Sequence, residues 1–348
     1  MSLVNTRLQA FRATAMLDKW ETRASRWGAL DMFKAQTDAP GSIISDDLKT
    51  KAIAAAGSSL QVPVIDYDAG VQVTNQTIPL VVTDSASTSQ LVSITFTHYY
   101  FGFLIHPAAH FNNEISMQRD FNAKFEKKMY AMAKMMDDAA LAALEASKTQ
   151  VLGDTLGGRY ALTSNVIVGP LAEQDAVVGD INPLMAGNDF FGNIHVVANG
   201  SMESHIRNRL LEKGQFNSED KQYQYNDKIW HFTNGLANGA GHKATAFAVQ
   251  SNAVGLLQQF APDCVMGNRT HKHLWDIETL PILNMPIGVY QYDDAVDGSA
   301  LHGAASAHLT ATKAEAYAFH HAVAYITPYN SAPVTRASAV AKVAIATT

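Results

Sequence analysis

The sequence is short of cysteine, of charge and of long apolar runs. Its 348 residues include one cysteine, Cys264, which excludes intramolecular disulfides and any metal cage built from cysteines. Charged residues make up 17% of the chain, which is little for a monomer with a fully wet surface and favours burial against partners. No window approaches a transmembrane span, and the N-terminus has no apolar run suited to a signal peptide. We expect a chain that stays in a reducing cytosol or is released from it by lysis.

Positive charge is also scarce. The formal net charge is −6, so the chain has no global basic field for gripping nucleic acid or an anionic membrane. No lysine or arginine occurs from Ala52 through Gln118. The early basic residues are interpreted as a solvated helical face, with contact to packaged nucleic acid or an acidic partner as the alternative; they are Arg7, Arg12, Lys19, Arg23, Arg26 and Lys34.

Motifs for nucleotide binding and hydrolysis are missing. The closest approach to a phosphate loop is GLANGAGHKAT, but His242 separates Gly241 from Lys243, and Ala244 stands where the motif needs a hydroxyl. The stretch HVVANGS lacks the glycine spacing of a dinucleotide-binding turn. The chain has no G-x-S-x-G elbow and no H-E-x-x-H helix.

Histidines and paired carboxylates are the remaining candidates for chemistry. Adjacent His320 and His321 must point to opposite faces of a strand, and no acidic residue stands at the spacing that supports a metal ligand. Asp137 and Asp138 are interpreted as surface charge, because nothing nearby in sequence raises the pKa of one above the other. We therefore predict no catalytic, cofactor-binding or metal-binding residue. The other side chains weighed were His271, His273, His302, His308, Asp293, Asp294 and Cys264, the last interpreted as a small buried hydrophobe.

Alternating apolar and polar residues predict a long hairpin before residue 103. In SQLVSITFTHYYF, Val92, Ile94 and Phe96 alternate with small polar residues, which is the period of a strand. The upstream run GVQVTNQTIPLVVT carries a similar signal, and DSASTSQ between them is a polar turn. Lysines usually protect an exposed edge strand, and this segment has none. We expect another domain or another copy of the chain to cover it.

A single long helix follows the hairpin. Asn113 or Ser116 can cap it, and counted from about Glu114 it runs for roughly 35 residues, or about 50 Å. A narrow apolar stripe follows one face, formed by Phe121, Phe125, Met129, Met132, Met136, Ala140 and Ala143. The stripe decays to alanine, which disfavours a coiled coil, and the charges in the middle exclude a membrane helix. A helix laid across a sheet fits best.

The second half of the chain predicts an α/β section and then short strands. NIHVVANGSMESHIRNRLLEKGQF has the order strand, turn and helix, and ATAFAVQSNAVGLLQQFAPDC is interpreted as a repeat of it. Strand patterns then return in LPILNMPIGVYQYDD, AEAYAFHHAVAYITPYN and AVAKVAIAT. This order suggests one domain inserted into another.

The order of these elements resembles the major capsid proteins of tailed bacteriophages. The match covers essentially the whole chain and includes the entry to the helix through FGFLIHPAAHFNNEISMQRDF. It implies an α+β fold of the Hong Kong 97 type, with an N-terminal arm, an extended β-hairpin E-loop, a long spine helix, a peripheral domain and an inserted α/β axial domain. The implied limits are arm 1–60, E-loop hairpin 61–113, peripheral domain 114–180 with its spine helix at about 114–150, axial domain 181–265 and return to the peripheral domain 266–348.

The resemblance also implies function and partners. The protein would be structural and not an enzyme, with no cofactor, and would assemble in the host cytoplasm into hexamers and pentamers of an icosahedral virion capsid around double-stranded DNA. Its partners would be other copies of itself, a portal, a scaffolding protein, a decoration protein and, non-specifically, the packaged DNA. Some relatives join subunits through an E-loop lysine, but this hairpin has none, so we expect no such cross-link. We also expect an uncleaved N-terminus and a separate scaffolding protein.

Two alternatives stay open at this point. An encapsulin-like compartment has the same fold but holds protein cargo instead of DNA. A metal-dependent hydrolase using the histidine-rich C-terminal half belongs to a different class, and predicts a monomer or small oligomer with stoichiometric metal.

Overall fold

The computed structural model describes residues 3–13, 27–54, 59–66, 88–111, 113–212, 223–225, 228–259, 273–280, 285–292, 315–330 and 334–348. The helices are α1 (Leu3–Arg12), α2 (Gly28–Asp38), α3 (Asp46–Ala54), α4 (Glu114–Ser147), α5 (Gln174–Ala186) and α6 (Gly200–Glu212). The strands are β1 (Ser59–Asp66), β2 (Thr88–Thr95), β3 (Thr97–Ile105), β4 (Ala161–Thr163), β5 (Val166–Gly169), β6 (Ile194–Ala198), β7 (Tyr223–Tyr225), β8 (Lys228–Phe232), β9 (His242–Gln250), β10 (Gly255–Gln259), β11 (His273–Leu280), β12 (Met285–Tyr292), β13 (Glu315–Ile326) and β14 (Val340–Ala346).

The strands form three sheets. β1 and β2 form an antiparallel sheet of two strands. In the five-stranded sheet β13 is central, since β3 pairs along one of its edges while β12 and β10 share the other. The seven-stranded sheet has the order β4-β5-β14-β9-β6-β8-β7, with parallel pairs at β14–β5 and β6–β8. The seven-stranded sheet therefore joins the middle of the chain to its C-terminus.

The long helix is α4, and the structure confirms the predicted helix. It has 34 residues, and the side-chain oxygen of Asn113 caps it by accepting hydrogen bonds from the backbone N–H groups of Ile115 and Ser116 at 3.0 and 3.2 Å. The predicted stripe from Phe121 to Ala140 is buried, and Ala143 packs beside it. Because the apolar residues keep one face of the helix, the other face stays available to solvent or to partners.

Aromatic rings join α4 to the five-stranded sheet. Phe125 packs against Phe319 of β13 with ring centroids 5.0 Å apart, and Phe121 packs edge-on against Phe103 of β3 at 5.4 Å. Phe11 of α1 packs edge-on against Phe125, with ring centroids 5.1 Å apart. The same core cluster takes in Val197, Phe247, Val249 and Val340 of the seven-stranded sheet. The apolar face of α4 therefore belongs to a core that both large sheets share.

The early basic residues are not all a solvated face, and for Arg7 that interpretation is wrong. Its side chain is 2% exposed. Its Nε donates to the hydroxyl of Tyr317 at 2.8 Å, and Nη2 donates to the carboxylate of Glu315 at 2.9 Å. Arg12 donates to the backbone oxygen of Thr279 at 2.6 Å. The prediction failed because these partners lie about 300 residues away in sequence, beyond any local pattern.

The interpretation of Asp137 as surface charge is also wrong. This side chain is 2% exposed, and its carboxylate accepts hydrogen bonds from the backbone N–H of Leu30 at 3.0 Å and from the hydroxyl of Thr233 at 2.6 Å. Burial raises the pKa of Asp137 to about 6, while these hydrogen bonds lower it and the neighbouring charge of Asp138 adds to the rise. One carboxylate thus joins α4 to α2 and to the end of β8.

Gly28 allows α2 to pack closely against β8. A Cβ on Gly28, the first residue of α2, would lie 2.6 Å from the backbone oxygen of Phe232. The start of α2 therefore rests directly on the backbone of β8, and this contact brings the N–H of Leu30 to Asp137. Any larger side chain at Gly28 would push the two segments apart.

The strand assignments hold in part. The run from Ser89 to Phe101 is extended as predicted, but it divides at Phe96 between β2 and β3, which belong to different sheets. The strand predicted over 70–83 and residues 84–87 of the polar turn lie outside the described residues, while Thr88, Ser89 and Gln90, predicted as the end of that turn, begin β2. The described partner of β2 is β1, which the sequence pattern did not single out.

The predicted second strand–turn–helix unit is wrong. After β9 the chain turns and forms another strand, β10, where a helix was expected. Leu256 lies in the core under α4, and Leu257 lies in a second cluster with Ile44 and Phe96. A strand buried on both faces shows no alternation, so it looks the same in sequence as a short buried helix.

We expect Phe125→Ala to lower the free energy of unfolding by about 3–5 kcal/mol, because it empties the aromatic contact between α1, α4 and β13. Urea unfolding of the unassembled chain measures this change. Met135→Ala is the control, since Met135 is on the same helix but exposed, and it should change the stability by no more than about 0.5 kcal/mol. Equal effects from the two variants would mean that the buried face of α4 is misassigned.

We expect Asp137→Asn to remove a pH dependence between about pH 4 and 6. The folded chain binds the Asp137 proton more tightly than the unfolded chain, so the contribution of this group to stability is greatest below its ordinary pKa of 3.8 and falls as the pH rises to about 6. Over that range, the stability of the wild type relative to the asparagine variant should fall by up to roughly 3 kcal/mol. Urea unfolding at a series of pH values tests this.

The matched control is Asp138→Asn, the same chemical change at the exposed neighbouring position. It should keep most of the fall in stability between pH 4 and 6, reduced slightly because the charge of Asp138 adds to the rise in the pKa of Asp137. If Asp137→Asn keeps that fall too, the carboxylate is not buried as described.

Candidate assembly surface

The β1–β2 hairpin has two different faces. Ser59 pairs with Thr95 at one end and Asp66 pairs with Thr88 at the other. Because side chains alternate along a strand, Leu60, Val62, Val92 and Ile94 share one face, and these four are half-buried. Pro63 and Leu91 pair on the opposite face, where the side chain of Leu91 is 63% exposed. A hairpin of two strands is at best marginally stable alone in water, so this one depends on what covers it.

A groove runs along the half-buried face of the hairpin. It has a volume of about 690 Å³ and lies between the hairpin, α3 and the C-terminal end of β13. Leu48 and Tyr325 line its inner part, and Ile43 and Tyr329 are more exposed. Among the described residues that line it, all are apolar or uncharged: Ile43, Leu48, Val62, Pro63, Val92, Ser93, Ile94, Thr95, Tyr325, Ile326, Thr327, Pro328 and Tyr329. Such a lining fits an apolar occupant better than an ion or a charged ligand.

Large apolar side chains are exposed at several other places. The most exposed is Phe111, at 93%, just before α4. On α4 itself, Ile115, Tyr130 and Met135 lie outside the buried stripe. The remaining ones are Ile43, Leu91, Tyr100, Phe191, Tyr329 and Val334. Single exposed apolar residues are ordinary, and among the described residues they include one on the hairpin, Leu91, and three on the free side of α4.

The histidines form two stacked pairs. Nδ1 of His98 lies 3.0 Å from Nε2 of His320, and Nδ1 of His195 lies 3.1 Å from Nε2 of His231. Each contact needs one ring nitrogen to donate and the other to accept, so a pair with both rings protonated would lose it. His321 is buried beside His320, and the alternation of β13 directs the two to opposite faces, as predicted.

Burial lowers the pKa of four of these histidines, His195, His231, His320 and His321. It lowers the pKa of His195 to about 4 and that of His231 to about 3, where the charge of His195 contributes as well. Burial likewise lowers the pKa of His320 to about 4 and that of His321 to about 3, each with a smaller contribution from the neighbouring histidine. Neutral buried rings favour the folded state above the ordinary histidine pKa of 6.5, and their contribution is lost as the pH falls towards 4. This dependence is opposite in sign to that of Asp137.

The described residues do not bring together a metal site. No group of three or more histidine, cysteine, aspartate or glutamate side chains with the geometry to hold an ion occurs within the described ranges. Six of the side chains weighed from the sequence lie outside those ranges, namely Cys264, His271, Asp293, Asp294, His302 and His308. The described helices also include none that is long and apolar enough to span a membrane.

Comparison with known proteins gives matches among solved structures alone. The chain matches no protein-family model and no curated protein sequence. It is similar to a structure from Mycobacterium phage Bobi at 12% identity, with a TM-score of 0.50 over 92% of this chain and 91% of that one. It is also similar to the Cyanophage Pam1 capsid asymmetric unit, at 13% identity and a TM-score of 0.48 over 89% of this chain and 90% of that one. A third match is the capsid structure of the Cyanophage P-SCSP1u, at 12% identity and a TM-score of 0.46 over 84% of each chain.

At this level of identity the comparison with the Mycobacterium phage Bobi structure is evidence of fold. It extends over nine-tenths of both chains, so it concerns the whole arrangement of helices and sheets. The prediction of a mixed helix-and-sheet fold is confirmed. The chain shares its fold with the structure from Mycobacterium phage Bobi.

Proposed function

We propose that the chain is the major capsid protein of a tailed bacteriophage, a structural protein and not an enzyme. Its copies would assemble into hexamers and pentamers and close an icosahedral shell around double-stranded DNA. The observation that carries this proposal is the fold shared with the Mycobacterium phage Bobi structure over 92% of this chain.

The elements have natural places in such a shell. The β1–β2 hairpin would be the E-loop and α4 the spine helix. The five-stranded sheet with α4 would form the peripheral domain, and the seven-stranded sheet would form the axial domain. The predicted axial limits, 181–265, take in β6 to β9 of the seven-stranded sheet and β10 of the five-stranded sheet, and they leave out β4, β5 and β14 of the seven-stranded sheet. The domain limits therefore stay a prediction.

The surface of the chain supports self-assembly. The hairpin exposes Leu91 and Pro63 on a face whose other described side chains are polar, and α4 buries one side while leaving Ile115, Tyr130 and Met135 exposed on others. Heterologous contacts of this kind, between different patches of identical copies, generate closed rings and shells. The hairpin lacks lysine and arginine, the side chains that usually keep an exposed strand from pairing with another chain.

The remaining partners follow from the same proposal. A portal, a scaffolding protein, a decoration protein and packaged DNA would contact the shell of a virion assembled in the host cytoplasm. DNA contact would be weak and non-specific because the net charge is −6. Arg7 does not contribute to it, since its guanidinium is buried against Glu315 and Tyr317.

Negative-stain electron microscopy of the expressed protein tests the proposal. Uniform hollow particles, or rings of five and six subunits, support a shell protein. Small compact particles under assembly conditions would contradict it. Nuclease-protected DNA in particles purified from infected cells separates a capsid from an encapsulin-like compartment, whose protected cargo would be protein.

We expect Met132→Pro to abolish assembly. Met132 is buried in the middle of α4, where proline removes a backbone hydrogen bond and costs about 3 kcal/mol or more. Electron microscopy and velocity sedimentation should find no closed particles. Met132→Leu is the control, since it keeps the helix and nearly the same volume, and it should assemble as the wild type does. Normal particles from the proline variant would show that an unbroken α4 is not needed for the shell.

A further inference from the structure

Phe111 is an aromatic side chain that the surrounding structure holds out in solvent. It is 93% exposed and has a φ of 52°, a left-handed conformation that bulky side chains rarely adopt. Side-chain contacts anchor the chain before and after it. His110, just before it, lies 2.9 Å from the hydroxyl of Ser116 and 3.2 Å from a carboxylate oxygen of Asp120, and Asn113, two residues after it, caps α4. A strained backbone that its neighbours hold in place points to a role for the side chain it presents.

The described residues leave this side chain uncovered. Phe111 is 93% exposed, and it is not among the described residues that line the groove beside the hairpin. Ile115, in the first turn of α4, is 68% exposed and extends the same apolar surface. An isolated exposed phenylalanine is unfavourable in water, and a preorganised one loses little entropy when a partner buries it.

The lining of the groove suits an aromatic side chain such as that of Phe111. It is concave, has a volume of about 690 Å³, and among the described residues its lining carries no charge. Tyr325 and Tyr329 offer edges and faces for a third aromatic ring. Thr327 also lines it, and a threonine hydroxyl can donate to or accept from a polar group beside an inserted ring.

We propose that Phe111 of one copy, with Ile115 beside it, inserts into the groove between the hairpin, α3 and the end of β13 of a neighbouring copy. This contact deepens the proposed function and depends on it, because the occupant is a second copy of the chain. The contact joins two different patches, so it is heterologous. Each copy can donate its Phe111 to one neighbour and accept the Phe111 of another in its groove, so the contact can repeat from copy to copy. It also covers the half-buried face of the hairpin, which alone would be at best marginally stable in water.

Phe111→Asn tests the inserting side chain. Asparagine tolerates a positive φ, so the change removes the ring and preserves the backbone conformation. The protein concentration needed for assembly should rise at least tenfold, measured by light scattering and velocity sedimentation. Phe191→Asn is the matched control, the same substitution at another exposed phenylalanine, and should assemble near the wild-type concentration.

Cysteine pairs test the groove directly. Phe111→Cys is combined with Val92→Cys or with Ile326→Cys, which place the second thiol on the hairpin or at the end of β13. After mild oxidation of assembled particles, at least one double variant should give a ladder of disulfide-linked chains on a non-reducing gel. Each single variant, and the wild type with Cys264 alone, shows the background.

The outcomes separate the contact from the proposed function. Assembly of Phe111→Asn at the wild-type concentration, an equal loss in Phe191→Asn, or no ladder above background from either double variant would overturn the contact and leave the shell function standing. Failure of the wild-type chain to assemble would overturn the proposed function itself.

Discussion

The fold depends on one helix that has only one apolar face. Along 34 residues, α4 buries a stripe from Met117 to Leu144 and leaves the rest of its circumference polar or exposed. That stripe shares a single core with β3, β12, β13 and the N-terminal helices, and this core reaches Phe247 and Val340 of the seven-stranded sheet. Because most of the packing converges on one side, the opposite side remains exposed among the described residues. The length of α4 then sets the distance over which the two sheets are held in one subunit.

Buried polar groups fix the positions of helices relative to their neighbours, which apolar packing alone does not define. Arg7 fixes α1 against β13 through Tyr317 and Glu315, and Asp137 fixes the start of α2 against α4 and β8. A carboxylate buried without a cation costs free energy, which is why burial raises its pKa, and the two backbone and hydroxyl donors offset that cost in part. The buried histidines respond to acid in the opposite sense, so the stability of the chain between pH 4 and 6 reflects two opposing contributions.

Patterns in the sequence predicted those helices and strands whose form depends on residues close together in the chain. The bounds, cap and buried stripe of α4 follow from its period and from Asn113, and the strands β2, β3, β12, β13 and β14 follow from alternation or apolar runs. The errors concern residues whose environment comes from distant chain. In the sequence, Asp137 and Asp138 have the pattern of a surface pair, but α2 and β8 bury Asp137. The sequence of β10 does not alternate because both faces of the strand are buried, so its pattern is also typical of a short buried helix. Phe111 gave no signal in sequence, since neither its exposure nor its left-handed backbone follows from its neighbours.

The central claim is that one-sided elements of this chain are completed by other copies of it. Hydrogen exchange, followed by mass spectrometry on dissociated subunits and on assembled particles, measures this element by element. We expect the amides of β1 and β2 to exchange rapidly in subunits and to become strongly protected in particles, while the amides of α4 around Phe125 stay protected in both. Equal exchange of the hairpin amides in the two states would contradict the account.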